Sequence, residues 1–239
     1  MKYYFILLFL FSLNAQTILD GNRSSYWDGG AAPAGGQDYS DDFNRTDADP
    51  PSGNWEEITG GGTDWAILSN ELEESSVGEA GQSIAYTLDC DGVTQYVCVQ
   101  LVDGEGGGIF RYTGTASDGY YCVHAYHDDG NIYWESRDNG GWNADIGSGS
   151  LNPGANDYIG ITVQGTGSGT IISAWDLGAT PASFTPYDKD NWLNGSDTAD
   201  ITITDDPGGN NADTGLQVGI GCYTDNVHTY DNWYGGDTE

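Results

Sequence analysis

The stretch Tyr120-Tyr121-Cys122-Val123-His124-Ala125-Tyr126-His127-Asp128-Asp129-Gly130-Asn131-Ile132-Tyr133-Trp134-Glu135-Ser136-Arg137 holds two alternating runs around a short polar centre. Tyr120 to His127 alternates with the two-residue period of a strand, and Ile132 to Arg137 alternates back. Between them, Asp128-Asp129-Gly130-Asn131 supplies the residues that tolerate positive φ in a tight turn. The stretch predicts a β-hairpin. An isolated hairpin is marginal in water, so its partners must lie elsewhere in the chain.

Outward from this hairpin, short apolar or alternating runs recur between clusters of Gly, Asp and Asn. They are Trp65 to Leu72, Gln82 to Leu88, Gln95 to Val102, Gly108 to Tyr112, Tyr158 to Val163, Thr170 to Trp175, Ile201 to Thr204, Leu216 to Tyr223 and His228 to Trp233. Ser69-Asn70-Glu71 marks a second turn inside the first of these runs. No segment keeps helical spacing over three turns. Evenly spaced short strands with turn residues between them predict an all-β protein, a two-sheet antiparallel β-sandwich. The 239 residues, with 37 Gly, 16 Tyr and 8 Trp, suit one such domain with one core.

Charge narrows the partners. Six Lys and Arg stand against 37 Asp and Glu, a formal net charge of −31. Such a surface repels phosphate backbones, because nucleic-acid binding needs clustered cations to displace counterions. Nucleic acid and anionic lipid are therefore excluded as expected partners. The charge suits solubility in a salty or calcium-rich medium, where self-repulsion is screened.

The two ends of the sequence read differently. Lys2 is followed by an almost unbroken apolar run from Tyr3 to Phe11, and Ser12-Leu13-Asn14-Ala15 ends on a small residue. This is the layout of a secretory signal peptide over residues 1–16, with cleavage expected after Ala15 or Gln16. Its apolar run is short for a transmembrane helix, so no membrane span is expected after leader removal. Residues 17–40 lack periodicity and are rich in Gly, Ala and Ser, which predicts a linker or extended arm before a domain at 41–239. The leader's Leu13-Asn14-Ala15-Gln16 ending also resembles those of Bacteroidota.

Asp41-Asp42-Phe43-Asn44-Arg45, then Gly53-Asn54-Trp55, then Trp65-Ala66-Ile67-Leu68-Ser69-Asn70-Glu71-Leu72, resembles the opening of concanavalin A-like, LamG-type jelly-roll domains. Gly215-Leu216-Gln217-Val218-Gly219-Ile220 with Tyr230-Asp231-Asn232-Trp233 is similar to their final strands. The resemblance brackets residues 41 to 236 and implies a jelly roll, a fold that carries lectins, glycanases, adhesion modules and structural proteins alike. It also implies a structural calcium where the first and last strands run side by side, which nominates Asp42 with Asp231. The DDFNR-to-NW opening is similar to modules of bacteriophage virion proteins as well.

Chemistry is sparse. Glycanases need two carboxylates at a fixed separation. The resembling laminarinase-like enzymes carry them in a Glu-x-Asp-x-x-Glu pattern, which Glu71-Leu72-Glu73-Glu74 does not match. Glu71 and Glu73 share one face of a strand whose Leu72 points inward. His124 and His127 fall on opposite faces, and His228 stands alone, so all three read as packing or surface residues. No catalytic residue is expected. Two further oxygen-rich clusters could take calcium, Asp188 and Asp190 with Asn194 and Asp197, and Asp205 and Asp206 with Asn210 and Asp213. Each reads equally as Asx turns.

Binding is better supported than cleavage. Sugar rings stack on aromatic faces while neighbouring polar groups bond their hydroxyls. Trp142 with Asn143, Trp192 and Tyr187 are the loop residues of that kind, with Trp27 in the arm, whereas Trp65, Trp175 and Trp233 read as core. Cys90, Cys98, Cys122 and Cys222 form either two disulfides in an oxidising compartment or four buried thiols. Asn22, Asn44 and Asn194 fit the N-glycosylation pattern, and Thr198 in Asp197-Thr198-Ala199 resembles an O-glycosylation acceptor. The leading expectation is a secreted, non-catalytic module for carbohydrate binding or adhesion. The alternative is a structural surface protein, a virion decoration or assembly subunit that contacts other copies of itself through the arm. A glycan-cleaving enzyme comes last.

Overall fold

A computed structural model describes residues 37–49, 51–58, 65–74, 82–115, 118–126, 129–138, 141–179, 198–204, 214–222 and 227–238. Within them the chain forms two antiparallel sheets, as the spacing of the runs predicts. The eight-stranded sheet runs in the order β13 (Ile201–Thr204), β12 (Ile171–Gly178), β11 (Asp157–Gln164), β6 (Gln95–Leu101), β15 (Thr229–Asp237), β4 (Glu71–Glu74), β3 (Trp65–Leu68). β1 (Asp38–Asp41) also pairs with β15. The seven-stranded sheet runs β10 (Gly141–Ser150), β9 (Asn131–Asp138), β8 (Tyr120–Tyr126), β7 (Gly106–Tyr112), β14 (Gln217–Cys222), β5 (Gln82–Tyr86), β2 (Trp55–Glu57).

The two legible turns are where the sequence puts them. β8 and β9 pair from Tyr120↔Arg137 to Tyr126↔Asn131, with Gly130 at φ 69°. Ser69 and Asn70, both at positive φ, turn β3 into β4. Alternation then sorts the side chains. Tyr121, Val123, Ala125, Ile132 and Trp134 point between the sheets and join Trp65, Val97, Ile161, Val218 and Trp233 in the main core. Burial of these apolar faces is the main driving force for closing the sandwich.

Three expectations are amended. β1 begins at Asp38, so the last residues of the stretch read as an arm belong to the sheet. Residues 141–150 form β10, although Gly-Trp-Asn-Ala-Asp-Ile-Gly-Ser-Gly-Ser lacks an apolar period. Trp142 and Asn143 are therefore strand residues rather than loop residues. β10 is a strand through its pairing with β9, and its glycines let it lie close to β13: a Cβ on Gly149 would lie 2.9 Å from Ile201 Cδ1. Trp175 is buried as expected, but on the outer face of the eight-stranded sheet with Tyr96, Cys98 and Tyr158.

Of the two alternatives for the cysteines, the buried thiols are found. All four are free thiols and all are buried, so neither disulfide of the oxidised alternative is formed. Burial pushes each thiol above its ordinary range, Cys122 to about 12. They pack as small hydrophobes.

Candidate binding face on the seven-stranded sheet

The same alternation that fills the core leaves Tyr120, Cys122, His124 and Tyr126 of β8 and Asn131, Tyr133, Glu135 and Arg137 of β9 on the outer face. Directly opposed residues in a sheet share a face. Register therefore sets Tyr126 beside Asn131, His124 beside Tyr133, Cys122 beside Glu135 and Tyr120 beside Arg137. Across the next pair, β10 brings Ser150 to Asn131 and Ser148 to Tyr133.

Contacts link this face into a chain. Arg137 Nε donates to Glu135 Oε2 at 2.7 Å, and Glu135 Oε1 lies 3.1 Å from His124 Nε2. The His124 ring stacks on Tyr133, with centroids 5.9 Å apart and 23° between planes. The Tyr133 hydroxyl in turn donates to Asp129 Oδ2, and Asp129 Oδ1 accepts the backbone N–H of Asn131 at 3.0 Å. His124, Glu135 and Arg137 are buried, and Arg137 Nη1 has no hydrogen-bond partner. A buried charge is tolerated when paired, and Glu135 supplies that pairing.

Accessibility changes along the face. The deep residues are closed off, whereas Tyr126, Asn131 and Tyr133 are half-buried and Asp129, Ser148 and Ser150 are exposed. The open end is thus two aromatic rings, an amide and two hydroxyls on strands, with a carboxylate in the β8–β9 turn. Hydrogen bonding to Tyr133 and Asn131 outweighs the slight desolvation and holds the Asp129 carboxyl below its usual range. It is ionised and ready to accept further bonds.

Of the residues nominated from sequence, Trp142 stands opposite Arg137 in the register of this sheet, and Asn143 falls in the bulge between Trp142 and Ala144. Trp192, Tyr187, Asn22 and Asn194 lie outside the described residues, as do Trp27, His127 and the signal peptide. Asn44 and Thr198 are exposed. Sequence reasoning missed Tyr133, because a strand tyrosine reads as core. The signal was present in the alternation itself, which put Tyr133 on the face opposite Ile132 and Trp134.

The calcium expectation meets a less favourable geometry. β1 does lie on β15, which brings Asp42 near Asp231. Asp42 Oδ1 accepts the Asn44 N–H at 3.2 Å, while both Asp231 oxygens hold Asn232, at 2.8 and 2.9 Å. Burial, with the charges of Glu71, Asp42 and Asp41, raises the Asp231 carboxyl. Among the described residues no three His, Cys, Asp or Glu side chains converge to hold an ion. The described residues do not build a calcium cage.

A second polar cluster lies where β4, the β6–β7 turn, β14 and β15 meet. His228 Nδ1 is 2.8 Å from Asp103 Oδ2, and its Nε2 is 3.2 Å from Glu105 Oε2. Glu74, fully buried, accepts the Cys222 thiol at 3.0 Å, and its N–H donates to the His228 carbonyl. The stretch Glu71 to Glu74 is thereby divided: Glu71 and Glu73 face outward, whereas Glu74 follows Leu72 inward. His228 is a buried ion-pair partner, not an isolated packing residue.

No protein-family profile matches the chain, and no curated protein matches it in sequence. Solved structures are similar in fold. They include the carbohydrate-binding module CBM66 from Bacillus subtilis, 13% identical over 75% of this chain and 91% of that one, with a TM-score of 0.46. Lectin II from Ulex europaeus is 12% identical over 84% of this chain and 98% of its own, with a TM-score of 0.44. A xylan β-1,4-xylosidase from Bacillus halodurans C-125 is 11% identical over 82% of this chain but 38% of the enzyme, with a TM-score of 0.46. At these identities no residue role passes from any of them to this chain. Among the described residues no helix is long and apolar enough to cross a membrane.

Proposed function

We propose that the chain is a carbohydrate-binding β-sandwich module, exported from the cell, that engages glycan at the open end of its seven-stranded sheet. The observation that carries this reading is the Tyr133 ring. It is half-buried, stacked on His124 and anchored by its hydroxyl to Asp129, so little freedom remains to be lost when a sugar packs on it. Tyr126, Asn131, Ser148 and Ser150 surround it with groups that bond hydroxyls. The signal-peptide layout of residues 1–16 supports export. The alternative of a self-assembling surface protein rests on residues 17–36, outside the described residues.

The chemistry of the face supports binding rather than cleavage. Asp129 is exposed and tied by hydrogen bonds to Tyr133 and to the Asn131 backbone, with lone pairs left for hydroxyl donors, and the Glu135 carboxylate is buried against Arg137. The test is a glycan array with the full chain, followed by calorimetry on any ligand found. Tyr133→Ala is expected to weaken binding about tenfold or more, the size of effect typical when a central aromatic anchor is removed. Unchanged affinity in the folded variant would remove Tyr133 from the site.

A further inference from the structure

The six positively charged residues are few enough to account for individually. Lys2, Arg23 and Lys189 lie outside the described residues. The other three are all engaged by acceptors of the protein itself, Arg45 at the surface and Arg111 and Arg137 buried. Arg45 binds Asp41 and donates to the Ser52 carbonyl at 2.8 Å. Arg111 is fully buried and donates to the carbonyls of Val93 and Gly165. Arg137, the one described arginine on the binding face, is also fully buried and is held by Glu135 at the closed end of that face.

The open end itself carries negative charge. Asp129 is exposed and hydrogen-bonded to the Tyr133 ring that forms the platform, so a ligand stacked on that ring lies beside a carboxylate. Asp129 retains lone pairs on both oxygens, which suit hydroxyl donors. A second carboxylate brought next to it would find repulsion and no neutralising partner; like charges left uncompensated at an interface are strongly unfavourable. The chain's −31 net charge adds a long-range barrier of the same sign that salt screens only beyond about 8–10 Å.

We infer that the glycan this face takes is an uncharged polysaccharide or oligosaccharide, and that uronic-acid and sulfated polymers are rejected by Asp129 and the surrounding field. This rests on the binding-face reading above and specifies its ligand class. The face demands no particular monosaccharide. It needs vicinal hydroxyls for Asp129, Asn131 and the serines, an apolar ring face for Tyr133, and no anionic substituent between them.

The experiment is affinity electrophoresis of the full-length chain in gels cast with neutral polymers (a β-glucan, a mannan, a fructan, a xylan) or acidic ones (alginate, polygalacturonate, a sulfated galactan). It is run at low and at near-physiological salt. The expected result is retardation by at least one neutral polymer, weakened about tenfold in Tyr133→Ala, with no retardation by acidic polymers at low salt. Tyr133→Phe, which keeps the ring and removes only the Asp129 anchor, provides the readout if the alanine variant does not fold, with a smaller loss of the same sign. Retardation of the wild type by an acidic polymer, weakened by either Tyr133 substitution, would overturn the ligand class while leaving the binding face standing. Failure of every polymer to retard the folded protein would overturn the binding-face reading, and this inference with it.

Discussion

Glu135 is the residue on which the face depends most heavily. Removing its carboxylate leaves Arg137 charged and buried, a change that costs about 3–5 kcal/mol when one partner of a buried pair is lost. Glu135→Ala is therefore expected to lower the urea midpoint sharply, whereas replacing both residues by apolar ones of similar volume should restore most of that stability. The double variant would still bind poorly, because His124 loses the contact that holds it under Tyr133. The cysteines give a second residue-scale prediction. With every thiol buried and shifted upward, a thiol-reactive chromophore should register none in the native protein and four after denaturation. Fewer than four after denaturation without reductant would reveal a disulfide.

At the scale of elements, legibility follows from whether the residues carry a readable pattern and the deciding contact is local. The β8–β9 hairpin could be read from eighteen consecutive residues because its turn chemistry and its alternation agree. β10 could not, since its small residues carry no apolar period to read, even though its partner β9 is adjacent in the chain. The cluster at His228 was equally hidden: Asp103 is 125 positions away in sequence and Glu74 has the look of a solvated residue. That cluster has a pH dependence. Burial disfavours the charged imidazole, but the hydrogen bond and charge of Asp103, with the charges of Glu105 and Glu74, outweigh it and raise the His228 pKa. A histidine raised on folding contributes stability that is complete below its unfolded value of about 6.5 and is lost as pH climbs through the folded value. Urea unfolding of the wild type between pH 6 and pH 9 should thus show a decline that His228→Gln lacks. Parallel curves would mean that the cluster is not coupled to folding in that interval.

For the whole molecule, charge outweighs every local feature. The 37 carboxylates face three described arginines that are all used internally, so self-repulsion is balanced by dissolved ions rather than by the protein's own cations. Raising sodium chloride from about 0.01 M to about 0.5 M shortens the screening length from roughly 30 Å to a few ångströms. The melting temperature should rise over that range, and differential scanning fluorimetry checks it; a flat or falling profile would show that repulsion is not what limits stability. The fold class and both visible turns were open to sequence reasoning because pattern and turn chemistry are local. The face and the buried cluster are products of register. Register also bears on how this domain would carry tension. Gln37 and Asp237 exchange hydrogen bonds across the β1–β15 seam, with Asp38 opposite Gly236. Because these two strands are antiparallel and residues 37 and 238 lie at the same end of them, a load applied between those residues would open the seam like a zipper, one bond at a time, instead of shearing the whole row at once. Used as a tether in that geometry, the domain would yield at low force and give up β1 first.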